Sequence, residues 1–189
     1  APTVANAIVD FSVQEDAANV VRDLTAVFAD PETPAVSLTY AVVGNTNTAL
    51  VTATITSLTN LTLAFTAHGT GQSQVSVSAT DAGGLAVTNT FLVMVTAVND
   101  APSVTFAQST VTVLEDAGTQ TMASFATFSP GPANESSQAL VGYTVTVDNA
   151  GLFSTAPAID NNGQLTFTAA ANSNGLATVT VVVQDNGGT

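Results

Sequence analysis

The chain has 189 residues, 46% of them hydrophobic, with fourteen acids, one base (Arg22), no Lys and a net charge of −13. That charge repels phosphate backbones and anionic lipid surfaces, which excludes nucleic-acid binding and membrane-surface binding. Zero Cys excludes disulfides, thiolate catalysis and Cys-bound zinc, and no apolar run approaches the roughly 20 residues that span a bilayer.

Apolar residues alternate with Thr and Ser over short stretches, the habit of β-branched side chains on a pleated surface. The first predicted strands lie near Ile8–Val13, Val36–Val43, Leu50–Ile55 and Leu61–Phe65. Gln74–Thr80 shows the period plainly: Val75, Val77 and Ala79 point one way, Ser76 and Ser78 the other. A longer strand is predicted at Ala86–Ala97. Asn99-Asp100-Ala101-Pro102 then breaks the pattern. Beyond it, strands are predicted near Thr110–Leu114, Val141–Val147, Gln164–Thr168 and Ala177–Gln184. Clusters of Gly, Asn, Asp and Pro separate them, and no long segment carries a helical period.

The chain repeats itself. Ala1-Pro2-Thr3-Val4 returns as Ala101-Pro102-Ser103-Val104, and Glu15-Asp16-Ala17 as Glu115-Asp116-Ala117. The turn after Ser78, Asp81-Ala82-Gly83-Gly84, matches Asp185-Asn186-Gly187-Gly188. Two domains follow, 1–100 and 101–189. Six or seven short strands in about 100 residues imply an all-β fold of two tandem Greek-key sandwiches. After Asp81 the first copy continues into Ala86–Ala97; after Asp185 the second has four residues left. The second copy is therefore expected to lack its last strand, either because the chain was cut there or because a neighbouring chain donates one.

Carboxylates without basic partners must be solvated, protonated or neutralised by cations. This surplus of acids points to a hard divalent cation such as calcium.

The opening Ala1-Pro2-Thr3-Val4-Ala5-Asn6-Ala7-Ile8, the Glu15-Asp16-Ala17 motif and the linker Val98-Asn99-Asp100-Ala101-Pro102 resemble bacterial cadherin-like repeats. The nearest kinds are dystroglycan-type domains and the tandem repeats of giant surface proteins. Asn134-Glu135-Ser136, Asp148-Asn149-Ala150-Gly151-Leu152-Phe153 and Ala158-Ile159-Asp160-Asn161-Asn162-Gly163 are similar to another repeat found in such proteins. The resemblance implies an immunoglobulin/cadherin-like sandwich with calcium bound where domains join. It carries over to Glu15, with Asp16 beside it, as the acid near the first strand. Asp30-Pro31-Glu32 matches an Asp-x-Asp turn, with Asp30 and Glu32 as ligands. Asp81 and Asp185 match the acid that ends the penultimate strand, and Asn99 and Asp100 match the linker. On that pattern Glu15, Asn99, Asp100 and Asp185 would share the junction, while Asp30, Glu32 and Asp81 would face a preceding repeat. Two features depart from it. Ser129-Pro130-Gly131 stands where the second copy should carry its acidic turn, and Leu61–Phe65 holds no acid.

Other chemistry has less to stand on. His68, the only His, sits in the turn-like Ala67-His68-Gly69, and no Gly-x-Ser-x-Gly elbow is present. Glu15, Asp30 or Glu135 could form a carboxylate pair, but nothing sets two across a cleft and no Trp offers a sugar platform. Asp160-Asn161-Asn162-Gly163 reads as a turn. Asn60-Leu61-Thr62 and Asn134-Glu135-Ser136 are N-glycosylation sequons.

The expectation is therefore a non-enzymatic structural or adhesive repeat of a large extracellular, cell-surface protein, stiffened by calcium. Its partners would be neighbouring repeats of the same protein, glycans or other surface proteins. The alternatives are a carbohydrate- or matrix-binding module, with Tyr40 and Tyr143 as stacking residues, and a homopolymer completed by strand donation.

Overall fold

Alternating Thr/Ser and Val/Leu sides give strands, and in a computed structural model describing residues 1–188 nearly all regular structure is β. The chain divides into two compact units, Ala1–Val98 and Asn99–Thr189.

The first unit contains β1 (Thr3–Val4), β2 (Phe11–Gln14), β3 (Val20–Asp23), β4 (Phe28–Ala29), β5 (Thr39–Asn45), β6 (Val51–Thr56), β7 (Asn60–Phe65), β8 (Gly71–Thr80) and β9 (Ala86–Thr96). One sheet has the order β2-β9-β8-β5 and another β3-β7-β6; β1 pairs with β4. Only β2 and β9 run parallel. Val75 and Val77 of β8 and Val93 of β9 are 0% exposed, as are Val51, Leu61 and Leu63 of the facing sheet. They join one cluster, so the two sheets pack face to face as a sandwich.

The second unit contains β10 (Ser103–Phe106), β11 (Thr119–Met122), β12 (Ala126–Ser129), β13 (Leu140–Val147), β14 (Phe153–Ile159), β15 (Leu165–Ala169) and β16 (Val179–Asp185). Its sheets are β11-β15-β14 and β13-β16, with β10 on β12. The registers repeat those of the first unit. Thr3 faces Ala29, and Ser103 faces Ser129; Val20 faces Leu63, and Gln120 faces Phe167. Ala126, Ile159, Leu165 and Phe167 form the core, with half-buried Tyr143, Val145 and Val181 against it. Both units are thus β-sandwiches.

Three sequence expectations are corrected. Thr110–Leu114 forms no strand, and Leu114 is 81% exposed. In the first unit the corresponding β2 takes its ladder from β9 (Phe11 facing Val93). Among the described residues the second unit has no strand after β16 to play that part, and an extended segment without a partner leaves its backbone groups unpaired by the sheet. Val36 lies in a 3₁₀ turn, Ala35–Ser37, directly after Pro34, and the strand starts only at Thr39. Tyr40 is core: its ring packs 5.8 Å from Phe28 and its hydroxyl donates to the Ala35 carbonyl at 2.8 Å. Burial raises its pKa, and it offers no stacking face to a sugar.

Candidate metal sites

Acidic side chains gather in three places, and in each the local fold sets the geometry. In the second unit the segment Asn99-Asp100, the loop 131–138 and the loop after β16 converge. A 3₁₀ turn, Ala133–Glu135, follows Pro132 and turns Glu135 inward to 4% exposure. Glu135 Oε1 accepts the Asp100 amide at 2.7 Å. Gly131 leaves room for the other half of the carboxylate: a Cβ there would collide with Glu135 Oε2. Asn99 Oδ1 accepts from Gln138 Nε2 at 2.8 Å, and Asn99 Nδ2 donates to the Gly188 carbonyl at 2.7 Å. Asp185, 5% exposed, closes its loop by accepting the Gly187 amide on Oδ1 at 2.9 Å. The remaining oxygens, Glu135 Oε2, Gln138 Oε1 and Asp185 Oδ2, are buried without a hydrogen-bond donor.

Such acceptors are costly in an interior unless a hydrogen-bond donor, a proton or a cation meets them. The side-chain oxygens found here are the carboxylates of Asp100, Glu135 and Asp185 and the carboxamides of Asn99 and Gln138, with Asn99 Oδ1 already accepting from Gln138. That set fits a hard cation of calcium's type and no thiophilic metal. Asn99, Asp100 and Asp185 were named as ligands from the sequence. Glu135 and Gln138 were not. The turn 129–131 is indeed non-acidic, but the second unit recovers its acid from Glu135, a few residues further on.

The second gathering is in the first unit, at the loops after β4 and β8. Asp30 Oδ1 accepts the amides of Glu32 at 2.8 Å and Thr33 at 2.9 Å. Its side chain is 1% exposed, and Oδ2 lies 3.2 Å from the Ala1 ammonium. Asp81 Oδ1 accepts from Gly83 at 2.8 Å and Leu85 at 2.9 Å, while Oδ2 stands 3.9 Å from the same ammonium. Glu32 is 4.0 Å away, and its side chain is 85% exposed. The Glu32 amide, ahead of the ammonium, holds the Asp30 carboxyl below the usual carboxylate range.

The third gathering is Glu15, Asp16 and His68, each with one ligand atom within 4.8 Å of the others. Glu15, 5% exposed, accepts the Val98 amide at 2.7 Å. Asp16 accepts the His68 amide at 2.9 Å and lies 3.2 Å from His68 Nδ1. In the second unit Glu115 is exposed instead. Asp160-Asn161-Asn162-Gly163 is a turn, closed by Asp160 Oδ1 on the amides of Asn162 and Gln164 at 3.0 and 2.8 Å.

Fold and side chains together define a tandem β-sandwich protein with acidic clusters at its strand ends. No family model matches the chain, and no curated protein matches its sequence. Among solved structures it is similar to protocadherin gamma B7 extracellular cadherin domains 1–4, at 16% identity and a TM-score of 0.44, over 96% of this chain and 48% of that one. It is similar to the human desmocollin-1 ectodomain at 16% identity and TM-score 0.36, over 97% of this chain and 35% of that one. It is also similar to an endo-fucoidan hydrolase of glycoside hydrolase family 107, at 13% identity and TM-score 0.40, over 96% and 28%. The chain thus spans about half of the protocadherin chain and a smaller part of the other two. Among the described residues no helix is long and apolar enough to cross a membrane.

Proposed function

We propose that the chain is a non-enzymatic structural or adhesive repeat of a larger extracellular protein, and that its second unit takes up a calcium ion. One observation carries the calcium reading. Glu135 Oε2, Gln138 Oε1 and Asp185 Oδ2 are acceptors held in the interior with no donor to meet them. Arg22, the one basic side chain, lies in the first unit with its guanidinium 5.5 Å from the Phe11 ring centre. Calcium takes six to eight oxygens in adaptable geometry, which carboxylates, carboxamides and waters can supply together.

The consequence is mechanical. Asn99 and Asp100 are the first residues of the second unit, and they belong to the donor set. An ion that binds Asp100, Glu135 and Asp185 at once ties this leading segment to the loops at 131–138 and 185–188. The ion would hold that segment in one arrangement, which is what a spacer in a surface filament needs. Neighbouring repeats of the same protein are its partners in this reading.

The test is a calcium titration of the full chain followed by melting. Binding to the folded state alone raises stability by RT ln(1 + [Ca]/Kd), about 2.7 kcal/mol at a hundredfold excess over Kd. A saturable rise in melting temperature with calcium, smaller with magnesium and lost in Glu135→Gln, is expected. An unchanged melting temperature at millimolar calcium would refute the metal role.

A further inference from the structure

We infer that Glu15, Asp16 and His68 form a second metal site of different chemistry, suited to a borderline transition dication such as Zn2+. Ligand atoms of the three side chains lie within 4.8 Å of one another. Two carboxylates and an imidazole make a mixed oxygen/nitrogen set. Calcium takes oxygen; an imidazole nitrogen suits zinc and its neighbours in the first row. Three protein ligands plus water complete the four-coordinate arrangement zinc prefers.

The repeat supplies an internal comparison. Asp16 and Asp116 are both left-handed, at φ 58 and 62, and each accepts a backbone amide from a second left-handed residue. In the first unit that residue is His68, φ 53, at 2.9 Å; in the second it is Asn172, φ 54, at 3.1 Å. The turn therefore does not require an imidazole, because Asn serves it equally well. Glu15 is buried and Glu115 is exposed. The first unit alone thus combines a ring nitrogen with a carboxylate fixed in place by the Val98 amide. The chain has no Lys, and the guanidinium of Arg22 lies over Phe11. A dication would balance the two carboxylate charges of Glu15 and Asp16, whose ligand atoms stand within 4.8 Å of the His68 ring nitrogen. This site lies wholly within the first unit and does not depend on the calcium reading.

The experiment is a ZnCl2 titration of the full chain in calcium-saturated buffer, read by calorimetry and by the ring-proton resonances of His68, the only His. One saturable equivalent that moves those resonances is expected. His68→Asn reproduces the residue of the second unit and so keeps the turn. It should weaken zinc binding at least about tenfold, as loss of a metal-site contact commonly does, and leave the calcium response intact. Asp16→Asn retains the amide acceptor and should weaken zinc binding as well. Zinc heats unchanged in His68→Asn, or His68 ring signals that stay still on titration, would overturn the site.

Discussion

Carboxylates in this chain divide their two oxygens between two tasks. Asp30, Asp81 and Asp185 each spend Oδ1 on backbone amides of the following loop. Their Oδ2 atoms face the interior or a positive charge. The two tasks can be separated by substitution. Asp185→Asn keeps an oxygen acceptor for Gly187 and removes one negative charge from the cluster. Calcium affinity should fall about tenfold or more, equivalent to about 1.4 kcal/mol, while the melting temperature in EGTA stays level or rises. A fall in EGTA comparable to that in calcium would mean that Asp185 serves only its loop. Asp148 tests pH at a site remote from metal. Its Oδ1 accepts the Thr178 amide at 2.8 Å, and that donor holds the carboxyl below its usual range. A folded pKa below the unfolded one, about 3.9, contributes stability above that value and loses it as pH falls through the folded pKa. Melting temperature should therefore drop below about pH 4, and less steeply in Asp148→Asn, which cannot titrate. Among the candidate ligands Asn99, Asp100 and Asp185 were expected from the resemblance to cadherin-like repeats, as the linker pair and the acid that ends a strand. Glu135 was not, since Pro132 opens a 3₁₀ turn that carries the acid away from the turn after β12.

At the level of elements, alternation succeeded where both faces of a strand differ in burial. Val75, Val77 and Ala79 are 0% exposed, as their common side in β8 requires. It failed for short strands. β1 and β4 have two residues each, too few for a period, and β10, β11 and β12 have four each with no fully buried face. It also over-read Thr110–Leu114, where apolar alternation exists but no ladder partner does. Pairing, unlike period, is a property of two segments and is invisible in one. The turn between β14 and β15 shows what tertiary contact adds. Gly163 has φ 75 and its carbonyl accepts the Ala126 amide at 3.0 Å. A Cβ there would strike the Ala126 carbonyl oxygen, which is backbone and cannot yield as a side chain tip would. Gly163→Ala should cost about 2 kcal/mol or more through combined strain and collision. Urea denaturation would show this as a lowered midpoint for the second unit only. An unshifted midpoint would mean that β12 moves aside freely.

Across the whole chain the two units share a plan but not a core. The first buries a cluster of sixteen apolar residues and the second a cluster of four. Phe91, Val93 and Val95 of β9 are nearly inaccessible in the first unit, and the described residues of the second hold no strand in that role. Burial of apolar area is the main favourable term in folding. The second unit should therefore unfold at a lower temperature than the first. Each unit contains a single Tyr and the chain has no Trp, so the transitions can be assigned by fluorescence. In Tyr143→Phe the remaining emitter, Tyr40, follows the first unit; in Tyr40→Phe the emitter is Tyr143. Calcium should raise the Tyr143 transition, because Glu135 Oε2, Gln138 Oε1 and Asp185 Oδ2 are buried acceptors of the second unit without a hydrogen-bond donor. A unit with a small core and an unneutralised acidic cluster is one whose order depends on ion concentration. On the proposed calcium reading its rigidity responds to the surrounding calcium, and coincident melting of both tyrosines with or without the ion would count against that dependence.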